Sequence, residues 1–167
     1  AMKTGAPIIV QAALSTSGWI GRADILRRID THPSALGSWS YEVIDTKLAR
    51  ETKAGAVLQL CLYSDLLGQA QGAEPEYMYV VAPWSDFIPQ RFRYADCAAY
   101  FRKVKLGLSQ AITLPDGGDV YPDPKEHCEI CRWRENCDKR RRDDDHLCLV
   151  AGISKILMSE LKGRGVS

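Results

Sequence analysis

One change of period limits what this chain can fold into: strand-like apolar runs give way to helical spacing near residue 52 and return near residue 76. Before the change, Pro7 to Ala13 is a short apolar run with a β-branched centre, and Ser15-Thr16-Ser17-Gly18 reads as a turn. Trp19 to Ile29 alternates imperfectly and is expected as a second strand, antiparallel to the first. Asp30, Pro33, Gly37 and three serines mark a loop over 30–40, and Tyr41 to Leu48 is a third strand. From about Thr52 to Gln71, Ala56, Leu60, Tyr63 and Leu67 recur at spacings of three and four, and Gly72 closes that helix. Glu76 to Ala82 and Phe87 to Tyr94 read as two more strands around a turn with Pro83 and Asp86, and Ala95 to about Ile112 as a second helix. The order β-β-β-α-β-β-α describes a mixed sheet with a helix packed across it, an α/β (α+β) domain.

Size allows one such domain and a small appendage, since the chain has 167 residues. Residues 1–114 hold the sheet and its helices. A connector with three prolines and two glycines spans Pro115 to Pro124 and opens a cysteine-bearing part, 115–142. A helical tail, 143–167, follows, its last helix starting at Ser154 as N-cap and ending at Gly163 or Gly165. The formal net charge of +1 supplies no global field toward a polyanion, so any nucleic-acid contact needs basic residues grouped locally. No run approaches the roughly 20 apolar residues of a membrane span. No signal-peptide core follows Ala1-Met2-Lys3-Thr4-Gly5.

The residues that carry chemistry fall on adjacent strands. Side chains alternate along Tyr41-Glu42-Val43-Ile44-Asp45-Thr46-Lys47, so Asp45 and Lys47 point one way and Glu42 the other. Asp24, in Gly21-Arg22-Ala23-Asp24, sits within a mostly apolar strand, where aspartate has a charge to solvate and little to pack. Two such carboxylates on neighbouring strands repel unless a cation lies between them. A hard divalent cation takes oxygen ligands, polarises a phosphoryl oxygen and acidifies a bound water. A lysine beside it orients or deprotonates that water and offsets charge on phosphorus. Taken alone, Asp45-x-Lys47 reads as a surface ion pair. Gln59 and Tyr63 shift the balance, because at i and i+4 they share a helix face and interrupt its apolar stripe.

The ordered set Gly21-Arg22-Ala23-Asp24, Val43-Ile44-Asp45-Thr46-Lys47 and Gln59-Leu60-Cys61-Leu62-Tyr63 resembles the RecB-like branch of the PD-(D/E)XK nuclease superfamily. The resemblance spans roughly residues 8 to 94. It implies a restriction-endonuclease-like mixed sheet flanked by helices and hydrolysis of DNA that is single-stranded or has free ends, in repair, recombination or defence. It implies Asp24, Asp45 and the Thr46 carbonyl as ligands of Mg²⁺ or Mn²⁺, Lys47 as the catalytic lysine, and Gln59 and Tyr63 as positioning residues. One departure stands out: such nucleases carry a metal-binding histidine on a helix before the first strand, and His32, His127 and His146 do not match it.

Cys128, Cys131 and Cys137 form a Cys-x2-Cys-x5-Cys array whose thiolates can converge on one soft metal. Such clustering without an export signal is expected of a reducing, cytoplasmic compartment. A fourth ligand is open among Cys148, His127, Cys61 and Cys97. Here too there is a resemblance, to nucleases with an iron–sulfur staple, which place three cysteines after the core and a fourth upstream of it. It implies Cys128, Cys131 and Cys137 as ligands of a [4Fe–4S] cluster in a longer protein, with zinc as the substitute metal. The tail is similar to the entry of a helix–hairpin–helix leading to further domains of the same chain. The rival class is a nucleic-acid-binding module that keeps this fold as a scaffold around a zinc knuckle. An enzyme of unrelated chemistry ranks last, because no nucleophile–base pair is visible and Gly117-Gly118 lies in a proline-rich connector.

Overall fold

In a computed structural model, which describes residues 1–16, 18–114 and 121–166, the change of period builds one mixed sheet with a helix across it. Ser17 of the expected turn and residues 115–120 of the connector lie outside the described residues. The strands are β1 (Ile8–Thr16), β2 (Trp19–Ile29), β3 (Ser40–Thr46), β4 (Tyr77–Val81) and β5 (Gln90–Arg93), side by side in that order. Helix α1 (Ala54–Gln71) joins β3 to β4 and returns the chain so that these two pair parallel, while every other pair is antiparallel. Packing divides the chain into two compact units, Ala1–Gln110 and Ala111–Ser167.

The core of the first unit explains which side of the sheet carries α1. Leu26 of β2, Tyr41 and Val43 of β3, Met78 and Val80 of β4 and Leu60, Tyr63, Leu66 and Leu67 of α1 form one buried cluster. Tyr41, Val43 and Asp45 share a strand face, so the row of core side chains on β3 ends in a carboxylate, only 2% exposed. Glu42 lies on the other face, where it pairs with Arg27 at 3.3 Å and accepts the Tyr77 N–H at 3.1 Å. Helix α1 stops at Gly72, whose φ of 69° is the left-handed cap geometry glycine adopts without strain. Gln71, fully buried, exchanges hydrogen bonds with the Tyr41 backbone and ties the end of α1 to the start of β3.

β5 is shorter than the run Phe87 to Tyr94 suggested. Asp86 and Phe87 take left-handed φ values of 50° and 59° after a 3-10 turn over Pro83–Ser85, which delays pairing until Gln90. Helix α2 (Tyr94–Thr113) follows at once, with Tyr94, Ala98 and Phe101 buried.

The second unit holds α3 (Arg134–Asp143), α4 (Lys155–Gly163) and two 3-10 turns, Glu126–Ile130 and Leu147–Leu149. α3 is strongly polar, and its residues ion-pair at helical spacing: Arg134 with Asp138, Lys139 with Asp143, Arg140 with Asp144. In the basic stretch 139–142, Lys139 and Arg140 are therefore paired with the adjacent Asp143 and Asp144, and Arg141 with Asp138. α4 begins as the sequence indicates, Ser154 accepting the Leu157 N–H at 3.1 Å. Among the described residues no helix is long and apolar enough to cross a membrane.

Candidate active site

At the end of the α1-covered face, five side chains from β2, β3 and α1 meet. Asp24 and Asp45 occupy neighbouring strands one step beyond the Ile25–Ile44 pair, and their carboxyl groups interact directly. The Lys47 ammonium lies 2.5 Å from Asp45 Oδ2 and donates to Gln59 Oε1 at 2.8 Å. Gln59 Nε2 in turn donates to the Tyr63 hydroxyl at 2.6 Å. Lys47 is just past the strand end, yet its backbone N–H still reaches the Val81 carbonyl at 3.0 Å, which fixes where its side chain starts. The two-residue spacing on β3 and the four-residue spacing on α1 thus become one chain, Asp45–Lys47–Gln59–Tyr63.

Gly21, the glycine of Gly-x-x-Asp, has a steric reason to be there. A Cβ at that position would lie 2.7 Å from the Tyr63 ring and 3.2 Å from Leu66. Only a bare backbone lets α1 approach β2 closely enough for Tyr63 to complete the chain.

The two carboxylates are held differently. Asp24 Oδ2 accepts the Thr46 hydroxyl at 2.6 Å and the Thr46 backbone N–H at 2.9 Å, and Oδ1 accepts the Gln11 amide at 3.2 Å. Burial pushes the Asp24 pKa up, but hydrogen bonds from Thr46, Asp45 and Gln11 outweigh it and leave the carboxyl below its ordinary value. Asp45 goes the other way: burial raises its pKa above the ordinary value, the Lys47 ammonium offsets only part of this, and the Asp24 charge adds to it. Asp45 Oδ2 is buried and accepts no well-aligned hydrogen bond, its close neighbour being that ammonium. Two carboxylates pressed together, one with a buried oxygen short of donors, fit a hard divalent cation. Thr46, at the strand end between them, is exposed and accessible to such an ion.

Gln11 was missed at the level of sequence. It lies in the middle of β1, an ordinary polar residue in an alternating run, and no local pattern links it to Asp24. Only the β1–β2 register brings the two together.

The cysteines sort into two groups. Cys61 is fully buried in the first unit, and burial, then Cys97 beside it, push its thiol up to about 12, the reverse of a ligating thiolate. Cys128, Cys131 and Cys137 are half-buried free thiols on the 3-10 turn, at its end and in α3. Cys128 Sγ accepts the Lys125 backbone N–H at 3.3 Å and faces the Arg141 guanidinium at 3.9 Å. The expected convergence of the three thiols is not seen: among the described residues no group of three or more His, Cys, Asp or Glu side chains is arranged to hold a metal ion. The physical reason lies in the connections. Cys128 is engaged by its own turn and Arg141, whereas Cys137 follows the turn of α3.

A model of the PD-(D/E)XK nuclease superfamily matches residues 10–138 of the chain. The matched span takes in Asp24, Asp45, Lys47, Gln59 and Tyr63 and reaches past Cys137. No curated protein matches the chain.

Proposed function

The chain belongs to the PD-(D/E)XK nuclease superfamily, and from that premise we propose that it is a RecB-like, metal-dependent deoxyribonuclease acting on DNA that is single-stranded or has free ends. Asp24 and Asp45, with the Thr46 carbonyl, would hold one Mg²⁺ or Mn²⁺. When bound, the ion supplies a polarised phosphoryl oxygen and an acidified water. Lys47 Nζ, between Asp45 and Gln59, orients the attacking water and offsets negative charge as the phosphorus becomes pentavalent. Gln59 fixes that ammonium by accepting a hydrogen bond from it, and Tyr63 fixes Gln59 by accepting one from its amide.

The observation that carries the reading is the contact of the Asp24 and Asp45 carboxyl groups beside the Lys47 ammonium. Purified protein should cleave single-stranded DNA with Mn²⁺. Lys47→Ala should lower that rate roughly 10²–10⁴-fold, the usual worth of a positioned proton-transfer group. Undiminished cleavage by that variant would remove the assignment.

Cys128, Cys131 and Cys137 are the proposed ligands of a [4Fe–4S] cluster in a longer chain in a reducing cytoplasm, or of zinc in its place. Support comes from the Cys-x2-Cys-x5-Cys spacing and from all three being free, half-buried thiols. Anaerobic purification should yield brown, iron-containing protein; colourless protein free of iron and zinc would refute the cysteine assignment and leave the nuclease assignment standing.

A further inference from the structure

We propose that Gln11 is a positioning residue of the cation site: a left-handed kink in β1 delivers its amide to Asp24, and that hydrogen bond fixes how the carboxylate faces Asp45. The inference rests on the assignment of Asp24 and Asp45 as cation ligands.

Gln11 has a φ of 54° in the middle of a nine-residue strand. A residue with a Cβ rarely adopts that conformation, and inside a strand it persists only where the surroundings select it. No inserted residue accounts for it. Val10 pairs with Ile25 and Ala12 with Ala23, so the register is the same on both sides and the kink is not a bulge. The residue opposite Gln11 in that register is Asp24.

β2 is disturbed at the same step. Ala23 and Leu26 are both 0% exposed and both belong to the core cluster, although residues three apart on a regular strand face opposite sides. Alternation therefore slips around Asp24, opposite the kink in β1. Past this point β2 pairs with β3, whereas before it β2 pairs with β1 alone. The paired distortion turns Asp24 toward Thr46 and Asp45 and brings Gln11 over it.

The hydrogen bonds show what this achieves. Both Thr46 donors reach Asp24 Oδ2, which by themselves leave the carboxylate free to swing about that oxygen. The Gln11 amide takes Oδ1 and removes the swing. A neutral amide suits the task better than a cation. With both carboxylates ionised, as cation ligands must be, Asp24, Asp45 and Lys47 together carry one net negative charge, which a lysine at position 11 would cancel and a glutamine preserves for the incoming ion.

Mn²⁺ titration of the full chain by electron paramagnetic resonance reads this directly, apart from any cleavage. Gln11→Ala should weaken Mn²⁺ binding about tenfold or more, as loss of an outer-shell partner typically does. Gln11→Lys should weaken it further. Gln11→Gly separates the site from the fold: glycine accepts the φ without strain, so its melting temperature should hold or rise while Mn²⁺ affinity falls as for alanine. Should the glycine variant fail to fold, Gln11→Met, of the same length without a donor, carries the same expectation. The proposal is overturned if the folded variants bind Mn²⁺ within twofold of the unsubstituted chain while Asp24→Ala does not. If Asp24→Ala also leaves Mn²⁺ binding unchanged, the cation assignment itself falls, and the role of Gln11 with it.

Discussion

The two units of this chain hold their candidate ligands by opposite means. In the first, Asp24 and Asp45 are set by a sheet and helix whose core is made of leucine, valine, tyrosine and methionine side chains. In the second, the buried residues among those described are Arg141, His146 and Leu147, and the links are polar and local. Arg141 donates to the Pro122 carbonyl and to Asp138, each at 2.6 Å, and Tyr121 stacks on His146 with ring centroids 4.3 Å apart. A unit with so little apolar burial has little with which to oppose the entropy of ordering its chain. The contrast teaches that a site can be assembled before its ion arrives only where hydrophobic burial has already fixed the backbone. If the proposed cluster assignment holds, thiols on short polar segments would depend on the metal to gather them.

The sharpest way to break this comparison is at Asp45. Asp45→Asn should abolish Mn²⁺-dependent cleavage, a larger loss than that expected of Lys47→Ala, yet raise the melting temperature of the cation-free protein, because it removes a buried charge. The sign follows from the raised pKa. The folded state binds the Asp45 proton more tightly than the unfolded chain, so this group favours folding at low pH and loses that contribution as pH rises through its folded pKa. Asp24, with a lowered pKa, favours folding above the ordinary carboxylate value and loses that contribution as pH falls through its folded pKa. Calorimetry of the two asparagine variants across pH 3–7 should show opposite trends; parallel trends would contradict the assignment of burial to one and hydrogen bonds to the other.

Next in size, Leu67→Ala should destabilise the first unit by about 2–5 kcal/mol, as cavities in well-packed cores do. Chemical denaturation reads this, and a cost under about 1 kcal/mol would show that the apolar cluster does not set the backbone. Gly21→Ala should cost about 1–3 kcal/mol by pushing Tyr63 out of place. Cleavage should fall with it, by less than for Lys47→Ala, since Tyr63 acts on the ammonium only through Gln59. A Gly21→Ala enzyme of normal stability and rate would mean that Tyr63 is not held where the geometry puts it. The smallest effect belongs to the second unit, where Ser154→Ala should cost about 1 kcal/mol in α4 through loss of its N-cap. Amide exchange should show that change confined to α4.

Much of the fold was legible because it rests on local periodicity. The strands β2 to β4, both long helices and the caps at Gly72 and Ser154 follow from side-chain spacing and from glycine and serine chemistry at helix ends, whereas β1 runs on through Ser15 and Thr16, which read as a turn but pair with Ile20 and Trp19. β5 was overextended because Asp86 and Phe87 leave no hydropathy signature when they turn left-handed. Of α3 only a solvated helix end at 139–142 was legible, since its support is ion pairs rather than an apolar stripe. At the candidate site, Asp45 with Lys47 and Gln59 with Tyr63 were each readable as pairs, because each pair lies within one element.

By itself the sequence determined the order of the strands and of the two long helices and which side chains share a face of β3 and of α1, because those depend on residues a few positions apart. Tertiary structure alone decided that Lys47 bridges Asp45 to Gln59, that Gln11 reaches Asp24, that Gly21 makes room for Tyr63 and that Cys61 is core. Each of these joins segments 12 or more residues apart, and only strand register and helix packing determine how such segments meet.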